Sequence, residues 1–215
     1  MRQPLTETIR EKVLLCDGAM GTMLQAAGLE GGGCGEAWNV EHPDRVKAIQ
    51  KQYADAGSDC IITNTFGGSR FRLALHGHEG RAAELNRAAA RLAREVMGEE
   101  RYVLGDIGPF GGFLEPLGET TPEELEAAFE EQAAALAEGG ADAIIIETMT
   151  ALDEIECAVR AARRACRLPV IASLAYDRVQ TGGYRTMMGV SPEQAAPLLE
   201  EMGVDIVGSN CGTGI

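Results

Sequence analysis

The sequence predicts an α/β protein of the parallel (β/α)8 TIM-barrel type, with about six of the eight strand–helix units present. A threefold repeat supports this prediction: a helix-like stretch ends in glycine, one residue follows, and an aspartate then precedes a short apolar run. The three copies start at Gly57, Gly140 and Gly203. Glycine is typical just after a helix, and a short apolar run suits a strand buried on both faces, as parallel sheets require.

The spacing of the apolar runs gives the order of the elements. Six strands are expected, near residues 13–17, 60–64, 102–106, 143–147, 169–175 and 204–209, with helices between them. Two of these helices begin at capping boxes with proline in the first turn, Thr121-Pro122-Glu123-Glu124 and Ser191-Pro192-Glu193-Gln194. Strands that alternate with helices indicate a parallel sheet, which is either doubly wound or of the barrel type.

Polar residues at the strand ends favour the barrel over the doubly wound sheet. No Gly-x-Gly-x-x-Gly motif follows the first predicted strand, and polar side chains stand at the carboxyl ends of most strands rather than at one switch point. They are Asp17, Asn64, Asp106, Glu147 and the pair Asn210-Cys211. In a barrel these ends converge on one face, which is where active sites of this fold lie.

Composition limits the number of domains and the classes of partner. With 215 residues, of which 45% are hydrophobic and 24% charged, the chain fits a single domain over residues 1–215. The net charge is -14, and no basic cluster is interleaved with aromatic residues. A phosphate backbone would therefore be repelled, which argues against nucleic acid as a partner.

The cellular compartment follows from the apolar runs and the cysteines. No apolar run approaches the roughly 18 residues that span a bilayer, and the first residues lack the apolar centre of a signal peptide. Six cysteines are scattered without a CxxC pair, which suits reduced thiols. We therefore expect a cytoplasmic location and no membrane partner.

Five motifs at the predicted strand ends resemble one family. They are CDGAMGTMLQ, TNTFGGSRFRL, GDIGPFGGFLEPLG, ETM and GSNCG, in this order from Leu14 to the end of the chain. This series is similar to the homocysteine S-methyltransferase family, which includes the homocysteine-binding barrel of cobalamin-dependent methionine synthase. The resemblance implies a methyltransferase of methionine biosynthesis, in which zinc held by three cysteines binds the sulfur of homocysteine and a methyl group is delivered to that sulfur.

The resemblance also implies a role for the last motif. Cys211 resembles the first of the three zinc ligands and is thus the expected catalytic and metal-binding residue. Zinc removes the proton of a bound thiol and leaves a sulfur that attacks a methyl carbon, and three protein ligands keep the fourth position open for substrate. Asn210 either orients the ligands or simply ends the strand.

The amino-acid part of the substrate needs its own partners. Asp17 and Glu147 resemble the family's ligands for the amino group, and a carboxylate is the natural partner of an ammonium. The backbone N–H groups of Gly18, Ala19 and Met20 are candidates for holding the substrate carboxylate, provided that this turn directs them inward.

The sequence departs from the family at one point. Family members carry two adjacent cysteines at the end of the eighth strand, but no Cys-Cys pair occurs here, and a barrel of this type takes about 250 residues. We therefore expect a C-terminally incomplete domain with an incomplete zinc site, inactive alone and prone to self-association through its open edges. The family's D-x-H-x-x-G cobalamin motif is also absent, so methylcobalamin, a possible methyl donor, would be bound by another module or corrinoid protein.

Two other functions remain open at this point. The first is a metal-independent barrel enzyme that uses Asp17 and Glu147 as acid and base. The second is a non-catalytic remnant or assembly subunit.

Overall fold

Five parallel strands form the central sheet of the computed structural model, which describes residues 2–180 and 182–213. The sheet strands are β1 (Cys60–Ile62), β2 (Tyr102–Ile107), β3 (Ala143–Met149), β4 (Val170–Leu174) and β7 (Ile206–Ser209), in the order β1-β2-β3-β4-β7. The antiparallel pair β5 (Asp177–Arg178) and β6 (Tyr184–Arg185) forms a small hairpin after β4. This hairpin is not among the six predicted strands.

Helices connect consecutive strands of the sheet. They are α1 (Leu5–Glu11), α2 (Met20–Ala26), α3 (Trp38–Glu41), α4 (Pro43–Ala56), α5 (Arg70–Ala74), α6 (Ala82–Met97), α7 (Pro122–Glu138), α8 (Leu152–Ala165) and α9 (Pro192–Glu201), and a short 3-10 turn at Glu79–Arg81 precedes α6. Each strand therefore pairs with the next one of the sheet after a helical crossover, which is the pattern of a (β/α) barrel. Within the described residues the sheet stays open. No helix in this part of the chain is both long and apolar enough to cross a membrane.

The threefold repeat has a clear structural basis. Its glycines have positive φ angles of 109°, 101° and 72°, which confirms the predicted left-handed stop after each helix. Its aspartates each accept a hydrogen bond from a backbone amide of the preceding strand or segment: Asp59 from Leu15 (3.0 Å), Asp142 from Val103 (2.7 Å) and Asp205 from Val170 (2.8 Å). The glycine of each repeat thus ends a helix, and the aspartate links the start of the next strand to the preceding strand or segment through its side chain.

The first predicted strand, residues 13–17, is not a strand in the structure. Only Cys16 bridges to Cys60, while Val13 and Leu15 are 93% and 59% exposed. The ladder ends after Cys16, because the Ile62 amide donates to the Asp17 side chain (3.1 Å) instead of to a backbone carbonyl. The expected six strands are therefore five strands and one bridged segment.

The sheet packs apolar side chains on both faces, as predicted from its apolar runs. The inner face carries Cys60, Tyr102, Leu104 and Ala143, all at most 5% exposed, with Leu5 of α1 packed below them. The outer face packs against the helices through a larger cluster that includes Phe129, Leu136, Ile144, Ile146 and Ile155. Strand β7 lies at one edge of the sheet, and Val207 there is 46% exposed. Self-association through the edges stays a prediction.

Both predicted capping boxes are confirmed. At the start of α7 the Thr121 hydroxyl accepts from the Glu124 amide (3.2 Å), and the Glu124 carboxylate accepts from the Thr121 amide (3.0 Å). Ser191 and Gln194 form the same reciprocal pair at α9. Each pair satisfies amides that the helix leaves without partners.

Replacing Thr121 by alanine is expected to lower the free energy of unfolding by about 1 kcal/mol, the usual cost of losing a helix N-cap. Urea unfolding followed by circular dichroism measures the change. Thr121→Ser keeps the hydroxyl and serves as the control, with stability near that of the wild type. An equal loss in both variants would assign the effect to the threonine methyl group instead of the cap.

Candidate active site

A cavity of about 710 Å³ opens at the carboxyl ends of the strands. All seven sequence-predicted site residues line it: Asp17, Gly18, Ala19, Met20, Glu147, Asn210 and Cys211. They come from the segment after the bridge at Cys16 and from the ends of β3 and β7. The fold therefore brings residues 17 and 211 to one cavity.

Asn210 is the centre of a hydrogen-bond network that joins three strand ends. Its Oδ1 atom accepts from the Thr148 amide (2.9 Å) and from the Ser173 hydroxyl (2.7 Å). Its Nδ2 group is shared between Glu147 Oε2 (2.9 Å), Thr148 Oγ1 (2.8 Å) and Cys211 Sγ (3.4 Å). The side chain therefore orients a carboxylate and a sulfur at the same time.

Cys211 presents its sulfur to the cavity beside Thr148. The Thr148 hydroxyl lies 3.5 Å from Cys211 Sγ, and the cysteine is exposed. Both residues have positive φ angles, 61° for Thr148 and 55° for Cys211, and Thr148 is β-branched, for which this conformation is rare. Such strain persists where the surroundings enforce it, and it is concentrated at functional sites.

Asp17 lies at the inner end of the cavity, next to β1. Its Oδ1 atom accepts from the Ile62 amide at 3.1 Å. Burial raises the pKa of Asp17 to about 7, and the neighbouring Glu147 carboxylate adds to the rise. Burial also raises the pKa of Glu147. Both carboxyl groups would therefore gain from a bound cation.

Asp106, at the end of β2, is a third carboxyl group of the cavity, and it is only 2% exposed. Its Oδ1 atom has no hydrogen-bond partner among the described residues. Burial, followed by repulsion from Glu147, raises the pKa of Asp106 well above its ordinary value. The Thr63 hydroxyl accepts from the Asp106 amide (2.9 Å) and the Thr65 hydroxyl donates to its carbonyl (2.8 Å), so the backbone at this residue is well fixed.

Gly18, Ala19 and Met20, at the start of α2, line the cavity. In the described part of the chain, the amides of Gly18, Ala19 and Met20 have no hydrogen-bond acceptor. The Tyr53 hydroxyl donates to the Ala19 carbonyl at 2.9 Å and so holds the turn against α4. These amides are free to bind an anion.

Sequence reasoning missed several residues of the cavity. Thr148 and Ser173 complete the Asn210 network, although only the position of Thr148 after the ETM glutamate hinted at a role. Asp106 was expected at a strand end but was not assigned to the site. Arg72, on α5, and His76, which follows that helix, also line the cavity; Arg72 belongs to the TNTFGGSRFRL motif, but neither residue was assigned to the site.

The described residues do not provide a complete metal site. Among residues 2–180 and 182–213, no group of three or more His, Cys, Asp or Glu side chains is arranged to hold a metal ion. Cys211 is the cysteine of this cavity and offers one soft ligand of the kind that zinc prefers. Any zinc bound here needs ligands in addition to Cys211.

The raised pKa of Asp17 predicts a pH-dependent contribution to stability. Because its pKa rises from 3.8 to about 7 on folding, the folded chain binds the proton more tightly. The Asp17 contribution to the free energy of unfolding is therefore fully present below about pH 4 and is lost as the pH rises to about 7. Other carboxyl groups with raised pKa change the stability in the same direction. The measurement is therefore the difference in the free energy of unfolding between wild type and Asp17→Asn, from urea unfolding at pH 4 to pH 7.

Glu154 provides a matched comparison for this experiment. It lies outside the cavity and accepts from the Phe110 amide at 2.8 Å, and burial raises its pKa to about 7 as well. Glu154→Gln should therefore remove a similar part of the pH dependence. A difference in the free energy of unfolding between wild type and Asp17→Asn that stays constant from pH 4 to pH 7 would contradict the prediction.

Comparisons with known proteins identify related chains. The homocysteine S-methyltransferase family model matches residues 14–215. Methionine synthase from Mycobacterium tuberculosis is 36% identical over 229 residues, which cover 98% of this chain and 19% of that protein. Methionine synthase from Mycobacterium leprae is 35% identical, with 98% and 18% covered. The chain thus spans about a fifth of the length of these curated relatives.

Solved structures of a homocysteine methyltransferase, MmuM from Escherichia coli, share the fold. The oxidized form has a TM-score of 0.80 at 23% identity and covers 98% of this chain and 77% of its own. The metallated form has a TM-score of 0.68 at 19% identity, with 97% and 95% covered. This likeness confirms the predicted α/β fold of the TIM-barrel type, although the sheet is open in the described residues. Because the family model spans nearly the whole sequence, the chain belongs to the homocysteine S-methyltransferase family.

Proposed function

We propose that this chain binds homocysteine and presents its sulfur for methylation to methionine. The observation that carries the proposal is the Asn210 side chain, which contacts both Glu147 Oε2 and Cys211 Sγ. Homocysteine has an ammonium group at one end and a sulfur at the other. A site for it needs a carboxylate and a sulfur-binding centre at a fixed separation, and a shared hydrogen-bonding residue supports that geometry.

The amino group would bind between Asp17 and Glu147. Their raised pKa values reflect burial without a cationic partner, and an ammonium between them stabilises the ionised forms. The substrate carboxylate would then accept hydrogen bonds from the amides of Gly18, Ala19 and Met20.

The sulfur would lie at Cys211, which we propose as one ligand of zinc, with the other ligands lying outside the described residues. When bound, zinc supplies the acidity that converts a thiol to a thiolate at neutral pH. The chain's own part is to hold the Cys211 sulfur in place. The Asn210 amide donates to the Cys211 sulfur at 3.4 Å, and the Thr148 hydroxyl lies 3.5 Å from it, so both side chains fix the position of the sulfur.

The methyl donor would come from another part of a larger protein or from a separate corrinoid protein. The curated relatives are about five times longer than this chain, which leaves room for such a module in them. Methylcobalamin stays a proposed donor. A cytoplasmic location also stays part of the proposal and fits the free cysteines of the described chain.

A metal-free acid–base reaction in the same cavity is a second candidate. The observation in its favour is the pKa of Asp17, because a value of about 7 suits proton transfer near neutral pH. Zinc distinguishes the two functions, since the second requires none.

Calorimetric titration with three ligands, with and without zinc, tests the proposal in a version of the chain extended to include the family's paired cysteines. We expect homocysteine to bind more tightly than 4-mercaptobutanoate, which lacks the amino group, and zinc to strengthen the binding of homocysteine but not of 2-aminobutyrate, which lacks the sulfur. Equal affinity for homocysteine and 4-mercaptobutanoate would overturn the proposed role of Asp17 and Glu147. Tight binding of 2-aminobutyrate with no effect of zinc would favour the metal-free alternative.

A further inference from the structure

Two cysteines stand directly opposite each other at one edge of the sheet. Cys16 bridges to Cys60 in parallel register. The Cys60 amide donates to the Leu15 carbonyl (3.1 Å) and the Asp17 amide donates to the Cys60 carbonyl (3.1 Å). One hydrogen bond therefore lies on each side of Cys16. Neighbouring strands lie about 4.8 Å apart, and side chains of opposed residues share one face of a sheet. This spacing falls within the roughly 4.4–6.8 Å between Cα atoms that a disulfide spans.

The two thiols differ in exposure and in acidity. Cys16 is exposed, whereas Cys60 is only 1% exposed. The interaction with the Cys60 thiol lowers the pKa of Cys16, whereas the interaction with Cys16, followed by burial, raises the pKa of Cys60. The accessible member of the pair is therefore the better thiolate, and the buried member is placed to react with it.

We propose that Cys16 and Cys60 are a peroxide-sensitive pair that forms a reversible disulfide between the segment before α2 and strand β1. The Cys16 thiolate attacks hydrogen peroxide, so that an S–O bond forms, the O–O bond breaks and, after protonation, water leaves. The Cys60 sulfur then attacks the sulfenic sulfur of Cys16. The S–S bond forms, the S–O bond breaks and a second water leaves. The two thiols lose two electrons and two protons, and hydrogen peroxide is reduced to two waters.

The other cysteines are poor competitors for this reaction. Burial raises the pKa of Cys34 and of Cys157 to about 11, so both remain thiols at neutral pH. The Cys166 thiol donates to the Ala162 carbonyl within its own helix. Cys211 is exposed, but no second cysteine lies opposite it in the described part of the chain. A disulfide therefore has one favoured pair.

The consequence concerns the residue that follows Cys16. The segment carrying Asp17 is attached to β1 by only a few hydrogen bonds, and the disulfide would add a covalent link one residue away. Because Cys16 is exposed, a dithiol can attack the disulfide at that sulfur and restore the open form. This inference stands apart from the proposed function, because it uses neither zinc nor homocysteine.

Peptide mapping of the chain under non-reducing conditions tests the inference. After one equivalent of hydrogen peroxide, we expect a linked peptide pair containing Cys16 and Cys60, a loss of two hydrogen atoms in mass and two thiols in titration, and recovery with dithiothreitol. In Cys60→Ala the sulfenic acid should persist at Cys16 and be trapped by dimedone. Cys34→Ser and Cys166→Ser are the controls and should form the link like the wild type.

Three results would overturn the inference. The first is oxidation of wild-type Cys16 to a sulfinic acid without a link to Cys60. The second is a main disulfide between any other pair. The third is an unchanged disulfide yield in Cys16→Ser, a variant at an exposed position whose folding is checked by circular dichroism.

Discussion

Glu147→Gln is expected to weaken homocysteine binding by roughly 30- to 150-fold, about 2 to 3 kcal/mol, because it removes one charged partner of a buried ammonium. The glutamine keeps an oxygen that accepts from Asn210 Nδ2, so the geometry at Cys211 should persist. Asp17→Asn should act in the same direction. Titration calorimetry with homocysteine measures the loss, and in a catalytically competent protein the loss should appear in KM more than in kcat.

The control for these variants is Glu154→Gln. It also neutralises a buried carboxyl group of raised pKa, but that group lies outside the cavity and bonds to the Phe110 amide. Homocysteine binding should therefore stay unchanged in this variant. A loss of zinc from Glu147→Gln or Asp17→Asn would indicate that these carboxylates are zinc ligands. Unchanged homocysteine binding would indicate that they have no role in the site.

Cys211→Ala is expected to abolish zinc binding and methylation in a version of the chain extended to include the family's paired cysteines. Loss of one of three thiolates should weaken zinc by at least about 100-fold, since even residues that only support a metal ligand cost about 10- to 100-fold. The 215-residue chain itself should bind zinc weakly, and its Cys211 should react readily with alkylating reagents. Zinc titration combined with cysteine-resolved alkylation on both lengths measures this.

Cys34→Ala serves as the matched control. Cys34 lies in the loop beside the cavity and its thiol donates to Glu36 at 3.5 Å, yet we assign it no role in metal binding. This variant should keep its zinc. Stoichiometric, tight zinc binding by the 215-residue chain would instead indicate Cys34 or Cys16 as a zinc ligand. Zinc binding that persists in the longer chain without Cys211 would contradict the metal role proposed for Cys211.

Local patterns made much of the fold predictable. The glycine–aspartate repeat and the capping boxes depend on neighbouring residues, so their structures follow from a few consecutive positions. The convergence of strand ends was predictable too, because parallel strands share a direction, and this brought Asp17, Glu147 and Cys211 together. The segment at residues 13–17 failed as a strand because the Asp17 side chain takes up the Ile62 amide, which a regular ladder would bond to a backbone carbonyl.

The inner structure of the site was not predictable in the same way. The positive φ of Thr148 and the missing partner of Asp106 Oδ1 arise from contacts between segments far apart in the chain. The donor and acceptor assignments of Asn210 also depend on Ser173, which lies on a different strand. Such contacts leave no periodic pattern in the sequence, so only the three-dimensional structure reveals them.

The Asn210 network implies that the effect of changing one member depends on the others. Aspartate at this position would retain the acceptor for the Thr148 amide but would set a second negative charge against Glu147 and lose the donor to the Cys211 sulfur. Substitutions at Glu147, Thr148 and Asn210 should therefore be strongly non-additive in double-mutant cycles. Across related chains, the same coupling should appear as covariation of the three positions, so that they are inherited together as one set.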